Sequence, residues 1–123
     1  MKILGIGVDV VNNRRIQPLI KNQNFIKRTF GPNELKFSKN KVNRTNFFAK
    51  RFAAKEAVMK SLGKGWREIS WKEIEVTGGG KPTINTFGRA SATVKEKNIT
   101  NIHISLSHEN ENAIAFAISE KDN

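Results

Sequence analysis

Residues 47–63, with the sequence FFAKRFAAKEAVMKSLG, form the strongest helix signal in the chain. Thr45 or Asn46 can cap the start and Gly63 stands where helices commonly end, so the pattern predicts a helix over Phe47 to Leu62. A projection at about 100° per residue places the large apolar residues on one arc and three alanines on a second arc beside it: Phe48, Phe52, Met59 and Leu62, then Ala49, Ala53 and Ala57. The helix is therefore unusually apolar.

Three charged side chains of this helix point towards its apolar side. Glu56 and Lys60 project between the two arcs, and Lys55 projects within the arc of large residues. An ion near a core is tolerated only when it is paired or bound to a metal, and local rules broken in this way tend to mark functional sites. One interpretation is an ion pair between Glu56 and Lys60, which are four residues apart in the favourable order. The other is a binding site.

A second carboxylate lies on the first predicted strand, which covers Ile3 to Val11. Apolar residues alternate there with small and acidic ones: Leu4, Ile6, Val8 and Val10 on one face, and Gly5, Gly7 and Asp9 on the other. A glycine face allows close approach by another element. Two carboxylates, completed by waters and phosphate oxygens, commonly hold magnesium. Asp9 and Glu56 are therefore a candidate pair of metal ligands.

The remaining elements predict strands on both sides of helices. Residues 12–37 predict short helices broken at Pro18 and at Gly31-Pro32, and residues 38–46 predict a polar loop. Strands are predicted over 71–77 and 83–86 around a glycine-rich turn, with a helix over 88–97. Residues 102–107 and 113–118 predict a hairpin in which Ala113, Ala115 and Ala117 share one face. We expect that face to pack on the alanine arc of the long helix.

Composition narrows the classes of protein and of site. The 123 residues suffice for one domain, 1–123, with one modest core. The absence of cysteine excludes disulfides, thiolate nucleophiles and zinc–cysteine sites, and is consistent with a reducing compartment. No apolar run is long enough to span a membrane, so we expect a cytoplasmic protein. A net charge of +11, from 22 basic and 11 acidic residues, predicts attraction to an acidic partner or ligand.

Four segments together resemble the holo-acyl-carrier-protein synthases. Residues 5–9, GIGVD, followed by Arg15-Ile16, are similar to the N-terminal signature of that family. Residues 48–57, FAKRFAAKEA, followed by Lys60 and Leu62-Gly63, are similar to its central motif. The G-K-P turn at residues 80–82 and the segment ISLSHE at 104–109 complete the resemblance. The order and spacing extend over nearly the whole chain.

The resemblance implies a fold, a reaction and roles for individual residues. The fold would be a compact α+β domain with a long central helix on an antiparallel sheet, assembled as a homotrimer with active sites between subunits. The reaction would transfer 4′-phosphopantetheine from coenzyme A to a serine of an acyl carrier protein and release adenosine 3′,5′-bisphosphate. Asp9 and Glu56 would hold Mg²⁺, and Arg15 would face the carrier protein. The coenzyme would be bound by Arg51, Lys60, Gly63, Gly65, Lys81, Pro82, Ser107 and His108.

Two points stay open in the sequence. The serine must lose a proton, and a carboxylate such as Glu56, a metal-bound water or His108 can accept it. The alternative function is a basic nucleic-acid-binding module without catalysis, in which Phe47, Phe48 and Phe52 stack on bases. The enzyme interpretation predicts neither a stable nucleic-acid partner nor a membrane partner. Lys64, in the turn after the long helix, has no predicted role.

Overall fold

A three-stranded antiparallel sheet carries the central helix. The computed structural model describes residues 1–39, 44–78 and 80–123. Strand β1 (Lys2–Asn12) and strand β4 (Asn101–Glu109) both pair with β5 (Asn112–Lys121), which lies between them. The predicted hairpin is thus confirmed as β4 and β5, with its turn at Asn110, where φ is 56°. The strand order places β1 and β4 on opposite edges of this sheet.

The central helix, α4, spans Arg44–Leu62 and packs on the inner face of β1 and β5. The predicted caps at Thr45 and Asn46 are wrong, because both residues lie inside the helix. A Cβ atom on Gly5 or Gly7 would collide with a backbone carbonyl oxygen of α4. The glycines of β1 are therefore what lets the helix backbone lie directly on the strand.

Alanines complete the same close contact on β5. Ala113, Ala115 and Ala117 are fully buried, as are the three residues of the predicted alanine arc on α4, which are Ala49, Ala53 and Ala57. All six belong to one apolar core. Small side chains on both elements therefore allow a close approach of α4 to the sheet. This is the contact between the two alanine faces that the sequence predicts.

The apolar face of β1 points away from α4. Val8 is 51% exposed and pairs with Phe116 of β5, which is 41% exposed; Ile6 and Val10 lie on the same face and are also exposed. Burial of such side chains contributes about 1.5–3 kcal/mol each. Within the described part of the chain, nothing covers this face of the sheet.

Short elements cover the other side of α4. Helices α1 (Asn13–Leu19), α2 (Gln23–Thr29) and α3 (Pro32–Ser38) precede it, and α3 begins at its proline, as predicted. Pro18 lies within the last turn of α1 instead of ending it. The loop predicted over 38–46 is wrong at its two ends, which are helical, and its residues 40–43 lie outside the described part.

After α4, the predicted strand over 71–77 divides into a 3₁₀ turn (Trp71–Glu73) and strand β2 (Ile74–Thr77). Strand β2 pairs with β3 (Thr83–Thr86), and of the residues predicted as a turn between them, Gly79 lies outside the described part. Helix α5 (Gly88–Glu96) follows at its predicted place. Among the described helices, none combines the length and apolar character needed to cross a membrane.

Candidate active site

Asp9 and Lys60 meet where β1 passes under the end of α4. Lys60 Nζ donates to the Val8 carbonyl oxygen at 2.9 Å and lies 3.4 Å from Asp9 Oδ1. The Asp9 side chain is 18% exposed, whereas that of Lys60 is 54% exposed. The alternative ion pair between Glu56 and Lys60 is therefore wrong, because Lys60 turns to the strand. An exposed ammonium group beside a carboxylate can bind a phosphate oxygen.

Glu56 lies one turn before Lys60 on the same side of α4 and is half-buried. Its Oε1 accepts a hydrogen bond from the indole nitrogen of Trp71 at 3.3 Å. Burial raises the pKa of Glu56; the Trp71 hydrogen bond opposes this shift and the neighbouring Asp9 carboxylate adds to it. Two adjacent carboxylates, one of them poorly solvated, favour a cation between them.

The donor set fits a hard cation that keeps most of its own water. Glu56 Oε2 and Asp9 Oδ2 accept no hydrogen bond from any described residue. The described residues contain no group of three or more His, Cys, Asp or Glu side chains that could form a protein-only cage. Mg²⁺ is usually held by one or two carboxylates plus waters and substrate phosphates. Asp9 and Glu56 match that requirement.

The turn after α4 follows these side chains in sequence and has open space at Gly65. Gly63 has φ of +72°, and the amides of Gly63 and Lys64 donate to Lys60 and Met59, which closes the helix with a Schellman motif. A side chain on Gly65 would meet nothing within 4 Å. Lys64 pairs with Glu68 at 3.4 Å. Gly63 is thus needed for the chain's own turn, whereas Gly65 leaves room for a ligand.

Arg51 is buried and His108 is half-buried, and both have buried nitrogen atoms that make no hydrogen bond to a described residue. Arg51 is only 9% exposed, and its guanidinium lies 4.2 Å from the centre of the Phe47 ring. Arg51 Nε and both imidazole nitrogens of His108 have no partner in the described structure. Buried polar groups without a partner are uncommon in folded proteins. Both residues are therefore candidates for binding a polar ligand.

Lys81 and Pro82 line a separate groove of about 400 Å³ along β3 and β4. The groove continues past His103 to Ile104 and does not reach Ser107 or His108. Ser107 and His108 point to opposite faces of the sheet, because adjacent strand residues alternate. Ser107 lies on the exposed outer face, in the same row as Val10.

The candidate residues therefore form two groups within one protomer. The first, which we call the carboxylate group, consists of Asp9, Glu56 and Lys60. The other residues lie on β4 or just before β3 and share no single pocket; we call them the β4 group, and they are Lys81, Pro82, Ser107 and His108. Strands β1 and β4 are on opposite edges of the sheet, about 10 Å apart at the usual strand spacing. One protomer does not bring the two groups together.

Arg15 stands at the rim of the carboxylate group. Its guanidinium carbon lies 5.6 Å from the centre of the Phe52 ring, one helical turn before Glu56, and the side chain is exposed. Its positive charge lowers the pKa of Glu56, although less than burial raises it. The position suits contact with an anionic partner at the entrance of the site.

The sequence profile of the 4′-phosphopantetheinyl transferase superfamily matches residues 5–118. The chain belongs to this superfamily. It is 47% identical over 123 residues to a holo-[acyl-carrier-protein] synthase of Clostridium kluyveri, an alignment that covers 98% of this chain and 92% of the relative. The described fold is α+β, as the resemblance implied.

Solved structures agree with this assignment. A holo-[acyl-carrier-protein] synthase from Neisseria meningitidis superposes with a TM-score of 0.88 at 35% identity, covering 97% of this chain and 99% of that one. A synthase from Bacillus anthracis in complex with CoA (3′,5′-ADP) superposes with a TM-score of 0.81 at 32% identity, covering 99% and 100%. Both comparisons extend over nearly the whole chain.

Two features of the site are absent from the sequence predictions. The pattern predicts a strand at Trp71, the partner of Glu56, and no role for its side chain. The sequence shows Lys55 as a charge among apolar residues, and in the structure its partner is Glu34 of α3 at 2.7 Å, with both side chains fully buried. A lysine at a core-facing helical position predicts a partner of this kind, but the position of that partner depends on tertiary structure.

Proposed function

We propose that this protein transfers 4′-phosphopantetheine from coenzyme A to a serine hydroxyl of an acyl carrier protein, in support of fatty acid biosynthesis. The observation that carries the proposal is the carboxylate group, formed by three residues from two motifs that are far apart in sequence. The holo-[acyl-carrier-protein] synthase relatives, which match nearly the full length of the chain, support the same reaction.

In the proposed reaction the serine oxygen attacks the phosphorus that bears the pantetheine arm. A new P–O bond forms, the diphosphate P–O bond breaks, and adenosine 3′,5′-bisphosphate leaves. Asp9 and Glu56 would hold Mg²⁺, which stabilises the negative charge that develops on the diphosphate. Lys60 is placed to bind the same phosphates, since its exposed ammonium group lies beside Asp9. Electrostatic stabilisation of this kind is commonly a large part of catalysis.

The serine proton needs an acceptor, and the structure offers two side chains. Glu56 has a raised pKa, and because its Oε2 would hold the metal, it would accept the proton through a water rather than directly. His108 has two unpartnered nitrogens but belongs to the β4 group. A pH–rate profile of a His108→Gln variant distinguishes them: the acidic limb keeps its position if Glu56 accepts the proton and disappears if His108 does.

The coenzyme would extend from the carboxylate group to residues that a second copy of the chain supplies. Arg51, Gly63 and Gly65 would contribute from α4 and its turn, and the β4 group from the neighbouring subunit. The uncovered apolar face around Val8 and Phe116 supports association, since exposed patches of this kind commonly mark protein interfaces. We propose the homotrimer implied by the family resemblance, with each active site between two subunits.

Subunit mixing tests the shared site. We expect Asp9→Ala and His108→Ala homo-oligomers each to have low activity. Refolding the two proteins together should restore part of the activity, because some interfaces then combine one intact carboxylate group with one intact β4 group. No recovery, in mixed oligomers verified by native mass spectrometry, would contradict a site built from two subunits.

Charge and composition support the proposed partner and location. With a net charge of +11, the protein attracts acidic surfaces, and Arg15 lies at the entrance of the carboxylate group to meet an acidic carrier protein. We place the reaction in the cytoplasm, which suits a cysteine-free chain. The nucleic-acid alternative is not favoured, because Phe47, Phe48 and Phe52 are buried and cannot stack on bases.

The proposed function is tested by incubating the protein with Mg²⁺, coenzyme A and an apo-acyl carrier protein. We expect the intact mass of the carrier to rise by one phosphopantetheine group, and to stay unchanged when EDTA replaces Mg²⁺. A carrier whose serine is replaced by alanine is the matched control. An unmodified carrier under all conditions would contradict the proposal.

A further inference from the structure

Trp71 contacts the carboxylate group through a single polar atom. Its indole nitrogen donates to Glu56 Oε1 at 3.3 Å, which leaves Oε2 as the oxygen that accepts from no described residue. A hydrogen bond to one carboxylate oxygen fixes the rotation of that carboxylate. Residues in this position behind a metal ligand orient it, and their loss typically costs 10–100-fold in metal affinity or activity.

The Trp71 ring packs against two other aromatic rings. Trp66 stacks against it at 6.3 Å between centroids with 13° between the planes, and Phe52 packs at 5.7 Å with a tilt of 37°. The guanidinium carbon of Arg67 lies 5.1 Å from the centre of the Trp66 ring. Phe52 is one turn before Glu56 on the same helix, so the ring rests on the helix that carries its hydrogen-bond acceptor.

The backbone of Trp71 is held by a buried charge on that same helix. Lys55, the residue before Glu56, donates from Nζ to the Trp71 carbonyl oxygen at 3.2 Å and also to that of Ile74. Its charge is balanced by Glu34 Oε1 at 2.7 Å. Glu34 accepts in turn from the amides of Gly31 and Val76. Lys55 therefore ties the 3₁₀ turn and β2 to α4 directly beside Glu56.

From these contacts we infer that Trp71 is a positioning residue, which holds Glu56 with Oε2 free for the divalent cation, and that the buried Lys55–Glu34 pair fixes Trp71 for this task. The inference rests on the proposed function, because it assigns a role towards the proposed metal. Trp71 lies outside the four segments that resemble the family, so the inference adds a residue to the proposed site. It also explains why a lysine lies inside the core at the position next to Glu56.

Trp71→Phe tests the inference with the least disturbance. Phenylalanine keeps an aromatic ring next to Trp66 and Phe52 and the backbone carbonyl that Lys55 binds, and removes the N–H group together with the smaller ring of the indole. We expect the dissociation constant for Mn²⁺, measured by electron paramagnetic resonance on the protein saturated with coenzyme A, to rise about tenfold, the lower end of the range for such residues. The Mg²⁺ concentration for half-maximal turnover should rise in parallel, with KM for the carrier protein unchanged.

Trp66→Phe is the matched control, because the same change of ring is made at an indole whose nitrogen donates to no described residue. Its Mn²⁺ dissociation constant should stay within about twofold of the wild-type value. If Trp71 has only a structural role, Trp71→Phe will instead have a lower melting temperature and an unchanged Mn²⁺ dissociation constant.

The outcomes separate the inference from the function on which it rests. Wild-type turnover with equal Mn²⁺ affinity in wild type and Trp71→Phe overturns the inference and leaves the proposed function standing. A wild-type protein that neither binds Mn²⁺ nor modifies the carrier overturns both. A loss of Mn²⁺ affinity in Trp71→Phe that Trp66→Phe does not share supports the inference.

Discussion

Replacing Lys55 with methionine should destabilise the protein severely. The change keeps an unbranched side chain of similar volume, one atom shorter, but removes the ammonium group that pairs with Glu34. The Glu34 carboxylate is fully buried and would keep only the amides of Gly31 and Val76 as donors. The Trp71 and Ile74 carbonyl oxygens would lose the ammonium donor that they share.

The expected loss is about 3 kcal/mol in the free energy of unfolding. Breaking a buried ion pair by removing one partner typically costs 3–5 kcal/mol, and the two amides that still bind Glu34 place the estimate at the lower end. Urea unfolding followed by circular dichroism measures it. Both proteins must be compared at one concentration, because the stability of an oligomer depends on it.

The double variant Glu34→Gln/Lys55→Met provides the control. Removing both charges leaves neither member of this ion pair without its partner, so the double variant should be more stable than Lys55→Met alone, and the two single effects should not add. A Lys55→Met protein within about 0.5 kcal/mol of wild type, or losses that simply add, would refute the account of this buried pair.

Three further predictions concern the sheet and the carboxylates. Gly7→Ala should lower the free energy of unfolding by about 3 kcal/mol, because the added methyl group would collide with the α4 backbone. Gly65→Ala, the control, should change the free energy of unfolding by less than about 0.5 kcal/mol. Equal shifts in melting temperature for the two variants would contradict the close packing of α4 on β1. Val8→Glu should dissociate the oligomer, as measured by light scattering after size exclusion, and an unchanged mass would show that this face is not an interface. Burial raises the pKa of Glu56 in the folded state, so the stability that the neutral carboxyl contributes is complete below the unfolded pKa and is lost as the pH rises through the folded pKa. In EDTA, Glu56→Gln should therefore have a higher melting temperature than wild type at pH 7, and the difference should shrink towards pH 4. A difference that does not change with pH would count against burial as the cause.

The sequence predicted the helix and the site residues on it better than it predicted their partners. Glu56 lies between the apolar arcs of the helix, where a surface helix normally carries no charge. This exception identified Glu56 as a member of the carboxylate group. Its favourable spacing to Lys60 nevertheless suggested a wrong ion pair, because i,i+4 rules describe isolated helices. In the fold, Lys60 finds the Val8 carbonyl oxygen 52 residues away.

Long-range contacts account for the rest of what the sequence could not predict. Glu34 is 21 residues from Lys55, and Trp71 is 15 residues from Glu56. Helix and strand periodicities relate residues that are a few positions apart, so they indicate neither of these contacts. The alternation of β1 gave two faces correctly, but an apolar face normally turns to the core of its own chain. Here the glycine face packs on α4, because only glycine leaves room for the helix backbone. The apolar face that contains Val8 is therefore exposed on the protomer.

The most direct test of the central claim is single-turnover transfer to an apo-acyl carrier protein, followed by intact mass spectrometry, with wild type, Asp9→Ala and Glu56→Ala. Lys36→Ala, an exposed residue of α3 outside both groups of site residues, is the matched control. The account predicts a carrier heavier by one phosphopantetheine with wild type and the control, and an unmodified carrier with both carboxylate variants. Transfer at the wild-type rate by both carboxylate variants would contradict it.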